Sequence, residues 1–129
     1  MDCIEIIIPL PPVTKKNYSQ IITTGGRPRL IPSRKYREYE KMTKIYLKPL
    51  GIDYPVNVKC VFYMPTRRRV DLTNLLSAAA DILVKHGVVT DDNRDIMASH
   101  DGSIVMYCKE NPRTEIKITK ISNYEKWSS

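Results

Sequence analysis

From Val56 to Met64, apolar side chains at Val56, Val58, Cys60, Phe62 and Met64 alternate with Asn57, Lys59, Val61 and Tyr63. That period of two is the mark of a strand with one face packed on a core. Pro65 ends it, because proline cannot donate to a ladder. Beyond Arg67-Arg68-Arg69 the period changes. Leu75, Ala79, Ile82 and His86 line one face of a helix, Leu72, Leu76 and Leu83 lie beside them, and Gly87 supplies the C′ stop. A strand and a helix that each carry one apolar face must bury those faces together, so the chain is confined to layered folds containing both elements.

The remaining segments extend the same architecture. Cys3 to Ile8 is β-branched and reads as a strand stopped by Pro9, Pro11 and Pro12, and a loop from Val13 to Asn17 follows. Ile21 to Thr24 and Arg29 to Ile31 flank Gly25-Gly26 as a short hairpin. Ser33 is placed to cap a helix from Arg34 to Lys48, with Tyr36, Tyr39, Thr43 and Tyr46 on its inner side. Ile96 to Tyr107 and Thr114 to Ile121 read as two further strands joined through Asn111-Pro112. The order predicts one α+β domain over residues 1–129, with two main helices on a mixed or antiparallel sheet.

The charge is unevenly placed. The chain of 129 residues carries a formal +7, which favours a polyanionic partner. From Val13 to Leu50 ten basic residues (Lys15, Lys16, Arg27, Arg29, Arg34, Lys35, Arg37, Lys41, Lys44, Lys48) face only Glu38 and Glu40. From Asp71 to Asp101 six aspartates (Asp71, Asp81, Asp91, Asp92, Asp95, Asp101) face only Lys85 and Arg94. Short, stiff carboxylates suit oxygen ligation of a hard cation such as Mg²⁺, and carboxylates brought together need a cation or basic neighbours to offset their repulsion. Arg67, Arg68 and Arg69 stand directly before Asp71, and phosphodiester hydrolysis requires phosphate-gripping guanidinium groups beside metal-binding carboxylates.

Each acidic residue also has a purely structural reading. Asp71 precedes a helix and fits an N-cap; Asp91-Asp92-Asn93 fits a polar turn; Asp101-Gly102 fits a turn or bulge. Asp81 and Asp95 fit solvated or ion-paired roles. Asp71 and the Asp91–Asp92 pair meet either if Gly87 to Thr90 leads back along the second helix, or if the pair comes from another subunit, and the residues leave both routes open. Cys3, Cys60 and Cys108 are odd in number and widely spaced, which argues against a disulfide framework or a zinc site. The N-terminus has no basic lead-in to an apolar run, and no stretch has the roughly 20 apolar residues a membrane span needs, so a cytoplasmic protein is expected.

The run Met64-Pro-Thr-Arg-Arg-Arg-Val-Asp-Leu-Thr-Asn-Leu75, with Gly87-Val-Val-Thr-Asp-Asp92 downstream, resembles the RusA family of Holliday junction resolvases. The likeness extends to the early Pro9-Leu10-Pro11-Pro12 turn, the Tyr- and Lys-rich first helix and the closing Asn111 to Ile116 segment. It implies a homodimer that nicks four-way DNA junctions in pairs with Mg²⁺, or Mn²⁺ in its place. It also implies metal ligands at Asp71, Thr73 and Asp92, with Asp91 in support. Lys15, Lys16 and Arg67 to Arg69 would hold the DNA backbone. Two positions depart from the family pattern: Thr73 replaces an aspartate and Ser77 a lysine. Asn74, Asp91 or Asp101 are candidates to complete the metal shell, and Lys85, Lys15 or Lys16 to supply charge. The same departures support an alternative, a protein that grips branched DNA without cutting it. Two more remain: a nuclease for flaps, forks or RNA, and an interaction protein with an incidental acidic patch.

Overall fold

The computed structural model describes residues 3–15, 20–31 and 33–122. Its centre is β4 (Val56–Met64), whose alternation holds: Val56, Val58, Cys60 and Phe62 are buried. β7 (Arg113–Lys120) pairs antiparallel with one edge of β4, and β1 (Cys3–Ile8) adds antiparallel to β7. Along the opposite edge β5 (Met97–Ser99) and β6 (Ile104–Tyr107) both run parallel to β4. A parallel neighbour demands a crossover, and α2 (Leu72–Lys85) provides it. Leu75, Ala78, Ile82 and Leu83 of α2 are buried, and Leu75 and Ala78 close with Ile8, Tyr39, Phe62 and Ile116 round one small apolar space. The result is the expected α+β arrangement of two helices on a mixed sheet.

α1 (Arg34–Thr43) begins where expected, with the Ser33 hydroxyl accepting the Tyr36 N–H at 3.2 Å. It ends earlier than the predicted Lys48, giving way to a 3₁₀ turn over Lys44–Tyr46. The cause is local and long-range at once. The Glu40 carbonyl, which the Lys44 N–H would take in a continued helix, accepts instead from the Thr43 hydroxyl (2.8 Å) and from His86 Nε2 (2.8 Å). The Lys44 N–H turns to the Lys41 carbonyl, which tightens the last turn.

The strand predicted over Ile96 to Tyr107 is interrupted. Asn57 faces Ser99 and Val61 faces Ile104, so four steps along β4 match five on its neighbour. The extra residue sits in a turn at Asp101-Gly102, with Gly102 at φ +85°. Side chains stitch the gap. Asn57 Oδ1 accepts the Asp101 N–H (2.7 Å) and the Ser99 hydroxyl, and Ser103 Oγ accepts the Cys60 N–H (3.0 Å). A β-carbon at Gly102 would stand 3.2 Å from the Lys59 side chain. The expected hairpin forms, with its second strand starting two residues earlier than read: β2 (Gln20–Thr24) pairs with β3 (Arg27–Ile31) across Gly25 and Gly26, both at positive φ, as a two-residue turn of the primed type requires.

Candidate active site

β4 delivers the chain to the site. After Met64 the segment Pro65–Val70 turns over the end of the sheet, and the Thr66 hydroxyl accepts the Arg68 N–H at 3.4 Å. Arg67, Arg68 and Arg69 are exposed. Tyr107, the last residue of β6, lies opposite Met64 and takes the Arg67 guanidinium over its ring at 4.1 Å. A cation on an aromatic face is held against one orientation without losing its charge.

Asp71 occupies the N-cap position of α2, yet its side chain makes no capping hydrogen bond. The carboxylate instead accepts one long bond, 3.3 Å, from Asn74 Nδ2. It stands exposed at a helix N-terminus, beside three arginines, where backbone N–H groups and the helix dipole favour a bound phosphate. Thr73 and Ser77 lie four residues apart on the exposed face of the same helix.

Asp91 and Asp92 lie at the other end of α2. Gly87 and Val88 give their carbonyls to Gly51 and Ile52, and the Thr90 N–H goes to the Ile52 carbonyl. This tie bridges to a neighbouring segment without leading back along the helix. Asp91 closes a polar turn, Oδ1 accepting the Asp92 N–H (2.7 Å) and Oδ2 the Asn93 side chain (3.2 Å). The Asp92 N–H, foremost, holds the Asp91 carboxyl below the usual carboxylate range. Asp92 itself is exposed.

Because β5 is parallel to β4, the turn that feeds it lies at the start of β4, whereas Asp71 lies beyond its end. The 14 residues of α2 separate the two by roughly 20 Å at 1.5 Å per residue. Among the described residues no three His, Cys, Asp or Glu side chains come together to hold a metal ion. The donors are the all-oxygen kind that suits Mg²⁺, but one chain does not gather them.

The other candidates are scattered. Lys85 is on the last turn of α2, 4.0 Å from Glu40. Asp101 sits in the bulge midway along β4, its backbone held by Asn57. The Lys15 ammonium is bound to Asp81 at 2.7 Å on the outer side of α2, and Lys16 lies outside the described residues.

A model of the endodeoxyribonuclease RusA family matches residues 9–119. The chain belongs to the RusA family. The crossover junction endodeoxyribonuclease RusA of Escherichia coli K12 is 31% identical over 126 residues, covering 95% of this chain and 99% of that protein. Its counterpart from Enterobacteria phage 82 is 30% identical over the same 126 residues, with the same coverage of 95% and 99%. That of Aquifex aeolicus is 30% identical over 96 residues, 72% of this chain and 75% of its own length.

Within this RusA-family chain, Tyr107 as the platform under Arg67 and Asn57 as the organiser of the Asp101 bulge are roles that periodicity does not reveal. Both read as ordinary strand residues. Only the pairing of β6 and β5 with β4 puts Tyr107 under Arg67 and Asn57 in the bulge. Arg113 is a third such residue, stacked on Tyr63 at 3.7 Å and bound to Glu115 at 2.7 Å.

Proposed function

We propose that this chain is a Holliday junction endodeoxyribonuclease that acts as a homodimer, with Asp71 and Asp92 as its essential carboxylates and Mg²⁺, or Mn²⁺, as its cofactor. The observation that carries the reading is Asp71. A carboxylate at an N-cap position that does no capping, beside Arg67 to Arg69, is held for something other than helix stability. The Escherichia coli K12 and phage 82 relatives, which match 95% of the chain, are crossover junction endodeoxyribonucleases. The arginines and the α2 N-terminus would grip the DNA backbone and fix its register, contributing little base discrimination.

The separation of the carboxylates supports a dimer as the route by which they meet. In an isologous pair one end of α2 can meet the opposite end of the other copy, and the reciprocal contact then follows by symmetry. Asp92 of the partner subunit would then stand beside Asp71, and two equivalent sites would face two strands of one junction.

The test is a labelled four-way junction incubated with Mg²⁺ or Mn²⁺, beside linear duplex, flaps and forks. Paired nicks in the junction with duplex left intact are expected. Preferential cutting of flaps or forks would overturn the substrate assignment. A second reading, binding without cleavage, is favoured by Thr73 and Ser77, which put a neutral hydroxyl at each of two positions. A shifted junction band with no nick in either metal would establish it.

A further inference from the structure

The β2–β3 hairpin is unexplained by the core. It forms a two-stranded sheet of its own and pairs with no third strand among the described residues. Such a ribbon is marginal by itself in water. Its outer face nonetheless carries a directly opposed apolar pair, Ile21 and Leu30, that is 73% and 69% exposed. Thr23 and Pro28 extend that face toward the turn. The opposite face carries Arg27 and Arg29, both exposed, and Ile22 opposite Arg29.

Charge selects the occupant. From Ile6 to Arg37 there is no Asp or Glu, while Lys15, Lys16, Arg27, Arg29, Arg34, Lys35 and Arg37 are all basic. Two copies of so basic a ribbon repel each other. Pro28, which has no N–H, also spoils β3 as an edge for adding another strand. A polyanion meets no such obstacle, and a two-stranded ribbon is of a size that DNA grooves admit. The two unlike faces suit DNA that diverges on both sides of an inserted element, as at a branch, better than one continuous groove.

Resting on the resolvase reading, we infer that the β2–β3 hairpin is a junction-binding arm, with Arg27 and Arg29 on backbone phosphates and the Ile21–Leu30 pair against base pairs exposed at the branch point. Apolar side chains set against a base step unstack it, and the bend or opening they stabilise is what distinguishes a branch from a rod.

The experiment measures binding of the full-length protein, without divalent metal, to a four-way junction carrying 2-aminopurine at the branch and to linear duplex of equal length. Because all four positions are exposed, R27A/R29A and I21S/L30S should melt like wild type, which circular dichroism checks. R27A/R29A should weaken junction and duplex alike, and its slope of log affinity on log salt should fall by about 2, at about 0.9 per phosphate contact. I21S/L30S should leave duplex binding unchanged, weaken junction binding about tenfold, the scale of partly losing the burial of aliphatic side chains, and abolish the rise in 2-aminopurine fluorescence. Wild-type affinity and salt slope in both variants would overturn the arm. So would conversion of I21S/L30S from dimer to monomer in sedimentation, which would make the apolar pair a subunit contact. Wild-type protein with no preference for the junction over duplex would refute the resolvase reading itself, a separate failure.

Discussion

If each site is shared between subunits, two inactive variants should repair one another. In an Asp71→Asn homodimer both sites lack Asp71, and in an Asp92→Asn homodimer both lack Asp92. Each should nick junctions about 10²-fold more slowly than wild type or worse, the usual cost of one preorganised catalytic charge. A mixed dimer is different. One of its sites then collects both substitutions, while the other combines an intact Asp71 with an intact Asp92 of the partner subunit. Random reassortment of equal amounts gives about half mixed dimers in a two-fold assembly, so about one quarter of the wild-type sites return. The geometry permits no such rescue in a single chain, because α2, with its 14 residues, holds the two aspartates roughly 20 Å apart. The assay is co-expression with two affinity tags, tandem purification of mixed dimers, and gel analysis of a labelled junction. Single nicks without the paired second cut are expected, beside an equally tagged wild-type/Asp71→Asn mixture that also nicks once. Tagged mixed dimers that stay as slow as their parents, while that control cuts, would refute the shared site.

Other outcomes follow from packing and burial. Leu83 is fully buried, so Leu83→Ala should cost about 3 kcal/mol from lost transfer and cavity terms; urea unfolding measures it, and a loss under about 1 kcal/mol would contradict the packing. Tyr107→Ala removes the platform under Arg67. It should weaken junction binding about two- to fivefold, matching about 0.5–1 kcal/mol for an exposed cation–π contact, with little change in melting because Tyr107 is 42% exposed. Burial pushes the Cys60 thiol up to about 12 from 9.0, so at pH 8 a thiol reagent should modify Cys3 and Cys108 well before Cys60. The same shift makes the unfolded chain lose its proton first, so stability should decline as pH rises from about 9 toward 12; a flat profile there would count against burial of Cys60.

Sequence periodicity carried β4 to the residue and α2 as an element, although α2 buries Ala78 and Ala80, and the expected Ala79 and His86 are only half-buried. It failed where a distant side chain intervened. α1 stops at Thr43 because His86, from the far end of α2, takes the Glu40 carbonyl. The strand over Ile96 to Tyr107 breaks because Asn57 of β4 reaches into it. Asp101-Gly102 was legible as a turn, since glycine at positive φ has a local signature. At the site, the aspartates and arginines were legible as residue types, and Asp71 as the end of a helix. Their separation was not. Whether β5 lies parallel or antiparallel to β4 sets the end of α2 near which Asp91 and Asp92 fall, and alternation along a strand carries no such direction.

The most direct measurement compares wild type with Asp71→Asn on a four-way junction, scoring binding, nicking and thermal unfolding together. Because the Asp71 carboxylate does no capping, Asp71→Asn should melt within a few degrees of wild type and still shift the junction band, while paired nicks with Mg²⁺ disappear. Undiminished cleavage by Asp71→Asn would contradict a catalytic role for this carboxylate.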